Sequence, residues 1–404
     1  MAKLNIVFVT PEYVTEKYYS GGLANYVHRV SKALTSWGHQ VQVITLSDID
    51  QAEFIHDGVN VYRIKLGNFP RRFNRLTKSR LSDTARWLNY SLLAYQKLKQ
   101  IHQQQNIDII QFPNSRACGL FSQILFPIPN VTRISCYRPL WNQQAGINRN
   151  LDSRAIELLE LLQLKLSNNI YAPSYTLKKI LNQKENISNV QVIRTPFYLE
   201  TDQNEWDASV YDSKLSDKQY LLFFGRFQLH KGFHILAQAL PKVLEKYPNC
   251  NAVLVGLDLP SPLSSSMKDY LLSYCSQYND RVIFIGQTPH KKLYPIIAGA
   301  KIIVLPSLID NLPNACLESM ALGKPVLGTV GASFDELITD GENGFLVPIA
   351  DIDALADKII EAWDHPNLEQ IGQSAKHQVQ KLSPENTVKY LLKYYQELLQ
   401  PSNS

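Results

Sequence analysis

The sequence predicts an α/β protein of two or three domains assembled from strand–helix–strand units, and three observations carry this. The chain has 404 residues, too many for one ordinary core. Short apolar runs alternate with amphipathic stretches along most of its length. Glycine-bearing or polar loops repeatedly join the end of an apolar run to the start of a helical pattern.

Composition narrows the class. Hydrophobic residues make up 45% and charged residues 19%, as in ordinary soluble globular proteins. No stretch approaches the roughly 18 apolar residues that cross a bilayer. The run Leu4 to Val9 is short and has no cleavage-like site, so it predicts a strand and not a signal peptide. The five cysteines are odd in number and scattered without a C-x-x-C pair, which argues for reduced thiols in the cytosol and against a zinc site.

Leu4 to Thr10 reads as the first strand. Gly21 and Gly22 follow, opening an amphipathic helix to Ser36, and Val41 to Thr45 is the next strand. The opening is Rossmann-like but lacks the G-x-G-x-x-G dinucleotide fingerprint. The paired glycines instead let backbone approach a ligand at the helix start. A strand near Val59 to Ile64 leads into a basic segment with Arg63, Lys65, Arg71, Arg72, Arg75, Lys78, Arg80 and Arg86 against the single acid Asp83. Phe69, Phe73 and Leu76 interleave at helical spacing. This suits an anionic lipid surface or an anionic acceptor, against the plainer reading of a solvated loop.

A helix over 88–104, the strand 107–112 and the strand Val131 to Cys136 come next. A helix over 152–166, the strand 170–172, a helix over 175–181 and the strand 190–193 complete the first domain. Thr195 to Asp217 is polar and predicts an interdomain linker. The second domain opens with the strand Tyr220 to Phe224, and the amphipathic helix Glu385 to Leu399 ends the chain. The domains are read as 1–198, joined by 385–404, and 199–384.

Two motifs in the second domain point to chemistry. Phe224-Gly225-Arg226-Phe227-Gln228-Leu229-His230-Lys231-Gly232 places two cations, five apart, after a strand end. Arg offers a planar fork to phosphate oxygens and Lys a compact charge. Further on, Ile302 to Leu305 is a strand, Leu308 to Pro313 a loop and Ala315 to Leu322 a helix stopped by Gly323. Asp310 lies in the loop and Glu318 on the helix, eight positions later. Backbone N–H groups at Asn311, Leu312 and Asn314, with the helix dipole behind them, suit an anion. The triplets Asp48/Asp50 and Asp351/Asp353 read as a surface loop and as an N-cap with a first-turn acid, so no metal site is expected. His39, His230 and His290 read as structural.

These stretches, together with GGLANYVHRVSKALTSWGHQVQVIT, ALGKPVLGT and DGENGFLVP, resemble the retaining glycosyltransferases of family 4 over nearly the whole chain. The resemblance implies the GT-B fold, two Rossmann-like domains whose parallel sheets face across a cleft. It implies that Arg226 and Lys231 hold the diphosphate of a nucleoside-diphosphate sugar, that Asp310 meets the donor sugar and that Glu318 meets the ribose. Asp310, Arg226 and Lys231 are the expected catalytic residues. Gly21, Gly22, Glu318, Asn311, Leu312, Asn314, Ser135 and Arg138 are the expected substrate-binding ones. Two departures stand out: Asp310 replaces the commoner Glu, and Ser135 stands where family members commonly carry a His, with Tyr137 and Arg138 as substitutes.

The expected activity is metal-independent transfer of a hexosyl group, with retention, to a glycan, lipid-linked or small-molecule acceptor in polysaccharide or glycoconjugate biosynthesis. No cofactor is expected beyond the nucleotide-sugar co-substrate, and no nucleic acid. A cytoplasmic location is expected, with peripheral contact to an anionic membrane through 63–86. A nucleotide-sugar epimerase and a non-catalytic nucleotide-sugar sensor are the alternatives.

Overall fold

The computed structural model describes residues 3–16, 21–67 and 80–400. It divides into two units: one holds residues 1–139, 148–196 and 384–404, the other 140–147 and 197–383. Among the described residues, no helix is long and apolar enough to cross a membrane.

In the first unit, β1 (Asn5–Thr10), β2 (Gln40–Ser47), β3 (Glu53–His56), β4 (Val59–Lys65), β5 (Ile109–Pro113), β6 (Asn130–Arg133), β7 (Ile170–Ala172) and β8 (Val190–Val192) form one sheet. Its order is β3-β4-β2-β1-β5-β6-β7-β8, and among these strands only β3 runs antiparallel to its neighbour. β1 shows why the sequence reads as a continuous apolar run: Ile6 and Phe8 enter one core while Val7 and Val9 enter the other. Parallel strands covered on both faces lose the polar alternation of a half-exposed sheet. The helix Pro384–Leu399 packs Val388, Leu391, Leu392 and Tyr395 into the core that also holds Tyr26 and Val30. The Tyr395 hydroxyl joins a buried network with Gln111, Tyr171 and Tyr26.

In the second unit, β9 (Gln219–Phe224), β10 (Cys250–Val255), β11 (Val282–Ile285), β12 (Ile302–Val304), β13 (Val326–Thr329) and β14 (Phe345–Val347) form a wholly parallel sheet. Its order is β11-β10-β9-β12-β13-β14. The chain builds outward from β9 in one direction, then returns to build β12 on its other side. The strand order thus reverses between β9 and β12, and the loops that follow these two neighbouring strands lie at the carboxyl edge, where open α/β sheets bind ligands.

Two expectations need correction. The strand predicted to reach Cys136 ends at Arg133. Ile134 makes one more sheet bond to Tyr171 O at 2.8 Å, after which the Ser135 N–H turns to Asn114 Oδ1 at 2.7 Å. The polar passage 195–217 is not a free linker beyond Pro196. It holds the short helix Ser209–Lys214, buries Phe197 and Leu215 in a core of the second unit, and sets Trp206 against Tyr294. Leu215→Ala should cost about 2–5 kcal/mol, as for a buried core leucine. Urea unfolding would check this, and a loss under about 0.5 kcal/mol, the size of an ordinary surface change, would mean that the segment is not packed.

Candidate functional site

The loop after β9 and the loop after β12 are fastened to one another by backbone. The Leu308 N–H donates to His230 O at 2.8 Å. Gly232 has φ +69°, and a Cβ there would lie 1.7 Å from Pro306 O, so only glycine lets the first loop close onto the second. The closure brings Lys231 to Asp310, with Nζ 2.5 Å from Oδ2 and side chains 27% and 15% exposed. Asp310 is fixed further: Oδ1 accepts the Asn311 N–H at 3.0 Å, and the Ser333 hydroxyl donates to its carbonyl at 3.1 Å. Arg226 lies exposed on the β9 loop. A cation and a carboxylate thus meet at the point where the strand order reverses, and the β9 loop carries a second cation, Arg226.

The helix Asn314–Ala321 leads away from this loop and carries Glu318, which is 5% exposed. His290 begins the helix His290–Gly299, as expected, but its Nε2 also stands 3.5 Å from Glu318 Oε1. The anion-binding backbone expected over 311–314 is narrower than predicted. Asn311 spends its N–H on the Asp310 carboxylate and Pro313 has none, so within 311–314 only Leu312 and Asn314 can offer one. The Leu312 side chain is buried in the core, leaving its backbone as the part able to meet a ligand.

His230 sits beneath this constellation, buried, with Trp141 at 5.1 Å between ring centroids. Its Nδ1 has no hydrogen-bond partner among the described residues. Burial, reinforced by Lys231 and Arg226, pushes its imidazole down to about 3. The ring is therefore neutral at physiological pH and does not act as an acid.

In the first unit, Gly21 and Gly22 are exposed at the start of the helix Gly22–Ser36. The Glu12 carboxylate already caps that helix, with Oε1 accepting the Ala24 N–H at 3.3 Å. Ser135 and Arg138 belong to a separate feature. Asn114 clasps the backbone there, accepting from Ser135 N and donating to Cys136 O at 2.8 Å. Arg138 is held by Glu160 at 2.6 Å, and the same Glu160 oxygen accepts the Arg116 N–H at 2.7 Å. Asn114, Tyr137, Arg138 and Glu160 line a cavity of about 510 Å³.

Both acidic triplets are engaged elsewhere: Asp48 pairs with Arg86, Asp50 with Arg63, and Asp351 caps a helix through Ala354 N. These pairs also draw on the basic segment. Arg63 is bound by Glu16 and Lys65 by Ile49 O, while residues 68–79 lie outside the described residues. Sequence reasoning missed Glu12, Glu160 and the His290 contact, and it missed a group formed by His28, His56 and Asp57. Spacing held no signal for any of these, since their partners lie far along the chain.

Comparison with known proteins agrees with the geometry. The family described as "Glycosyltransferase Family 4" matches residues 20–200, and "Glycosyl transferases group 1" matches residues 211–378. An uncharacterised glycosyltransferase of Methanocaldococcus jannaschii is 27% identical, over 97% of this chain and 98% of that one. Sucrose-phosphate synthase of Thermosynechococcus elongatus shares the fold with TM-score 0.77 at 20% identity, covering 98% and 99% of the two chains. Anabaena HepE, solved in complex with UDP-glucose, matches with TM-score 0.70 at 17% identity, covering 98% and 100%. The chain belongs to the GT-B glycosyltransferases, with a family 4 amino-terminal region and a group 1 carboxyl-terminal region.

The depressed His230 has a consequence for stability. In the unfolded chain the ring takes up its proton near 6.5, and in the folded protein only near 3. Across that window the unfolded state binds more protons, so folding stability falls as the pH drops, by up to about 1.4 kcal/mol per pH unit. Urea unfolding at pH 7.5 and 4.5 should show His230→Gln losing less stability in acid than the native protein. Equal losses would mean that His230 titrates normally.

Proposed function

We propose that this chain transfers a sugar, with retention and without a metal, from a nucleoside-diphosphate sugar bound by the second unit to a hydroxyl of an acceptor. The observation that carries the proposal is the Lys231–Asp310 pair at the strand-order reversal, with Lys231 on a loop that also carries the exposed Arg226. Breaking a sugar–phosphate bond places negative charge on the departing diphosphate and oxocarbenium character on the sugar. Arg226 and Lys231, aided by the Leu312 and Asn314 N–H groups, stabilise that negative charge where it develops. They take the place of the divalent ion that this chemistry elsewhere requires.

Asp310 has two tasks in this reading. Before substrate binds it holds the Lys231 ammonium in position, and with donor present it meets the sugar near its reacting carbon. Lys231 is then shared between carboxylate and phosphate. Glu318, buried and facing His290, accepts hydrogen bonds from the ribose hydroxyls. The leaving phosphate oxygen takes the proton of the attacking hydroxyl on the same face of the sugar, which preserves configuration. HepE's complex with UDP-glucose is consistent with a donor of this chemical class.

The first unit receives the acceptor, a glycan, lipid-linked or small-molecule alcohol of polysaccharide or glycoconjugate synthesis. Glu12 at the Gly21–Gly22 turn supports this assignment. A carboxylate already capping the helix repels phosphate and accepts from hydroxyls. The Asn114–Arg138 cavity, with tethered charges of both signs, suits a polyhydroxylated ligand.

Purified protein in EDTA should release nucleotide from one of a panel of UDP-, GDP- and ADP-sugars, giving product with the donor's anomeric configuration by NMR. Lys231→Met should cut that rate about 100-fold or more while the protein stays folded, as for loss of a charge-stabilising donor. Glu318→Gln should weaken nucleoside-diphosphate binding measured by calorimetry. Tight binding without turnover for every donor and a broad acceptor mixture would overturn transfer in favour of sensing. Turnover that requires a divalent ion would overturn the metal-free reading.

A further inference from the structure

The first unit contains a group of side chains that the transfer reaction does not use. The hairpin joining β3 to β4 turns at Asp57 and Gly58, both with positive φ (48° and 79°), a tight turn of the kind Asp-Gly favours. This turn packs against the helix Gly22–Ser36, since a Cβ on Gly58 would lie 3.0 Å from Thr35 Cγ2. The packing delivers His56 and Asp57 from the hairpin to His28 from the helix. One potential ligand atom from each lies within 4.8 Å of the others.

We propose that His28, His56 and Asp57 form a binding site for a zinc-class divalent transition-metal ion. Two imidazoles and a carboxylate are the donor set such ions prefer, with a water completing four-coordination. His28 Nε2 and Asp57 Oδ2 already stand 3.1 Å apart, close to the roughly 3.3 Å between neighbouring ligands at bond lengths of about 2.0 Å in a tetrahedral site. His56 closes the set by turning its ring. Its Nδ1 is buried and has no hydrogen-bond partner among the described residues, so no internal bond through that atom holds the ring back. Tyr13 packs edge-on against both imidazoles, at 6.1 and 5.9 Å, and forms one wall of the site.

A further feature fits a cation. Lys32, one turn beyond His28, places Nζ 3.0 Å from Asp57 Oδ2, so positive charge is already favoured at this point. The bound metal displaces the Lys32 ammonium and staples the edge hairpin to the helix that begins at Gly22. It takes no part in the transfer chemistry, which is assigned to the second unit.

The test uses the full chain without an affinity tag, titrated with Co²⁺ and followed by visible d–d absorption, with Zn²⁺ as competitor. One Co²⁺ per chain is expected, displaced by Zn²⁺ and absent from His56→Ala. Lys32→Met, which removes the competing ammonium, should bind about tenfold more tightly, an effect of the size of one removed charge partner. Zn²⁺ should also raise the Tm of the native protein but not of His28→Ala or His56→Ala. Failure of the native chain to bind would overturn the site. So would equal binding by the folded His28→Gln/His56→Gln variant, which would place the metal elsewhere.

Discussion

The second unit's charged site depends on a contact between two stretches of backbone. Gly232 lies so close to Pro306 that no side chain fits between them, and the Leu308–His230 hydrogen bond ties the same loops together. Without that closure Lys231 and Asp310, 79 positions apart in sequence, would project from separate loops as solvated charges. With it they become a half-buried pair in a medium where electrostatic attraction is stronger than in water. The parallel sheet supplies the setting, because every strand ends at the same edge. The glycine supplies the approach.

Much of this was legible in the sequence, for a reason visible at β9. Tyr220, Leu222 and Phe224 enter one core while Leu221 and Phe223 enter the other, so the strand is written as an unbroken apolar run. Asp310, Glu318, Arg226 and Lys231 could be read because each follows such a run at short range. What stayed hidden was pairing across distance. Nothing in the spacing of His28 and His56 announces that a hairpin lays one beside the other, and nothing near Glu12 announces the helix it caps. The passage 195–217 misled because its polar composition outweighs the few residues that matter, Phe197, Trp206 and Leu215, which are buried or packed.

The helix Leu151–Leu166 shows a different limit. Its buried residues include Glu157, Glu160 and Gln163, while Leu151, Leu158 and Leu162 are exposed. An amphipathic pattern ordinarily assigns the apolar stripe to the core. Here the polar stripe faces inward because it has backbone to satisfy. Glu160 accepts the N–H of Arg116, a non-glycine residue at φ 62°, and Gln163 bridges Gly119 N and Pro113 O. The periodicity was readable and its orientation was not, since orientation follows from which groups need hydrogen bonds.

The place where the chain enters the second unit lies beside the place where it leaves, for Phe197 N–H donates to Leu382 O at 2.8 Å. Residues 197–383 therefore form a nearly closed cassette whose two ends meet. A cassette of that kind can be exchanged between relatives at two neighbouring junctions without stretching either connection. One element would be left behind by such an exchange. Trp141, which covers His230, arrives from an earlier part of the chain. A recombinant second unit would inherit the loops after β9 and β12 intact, without the Trp141 ring that packs against His230.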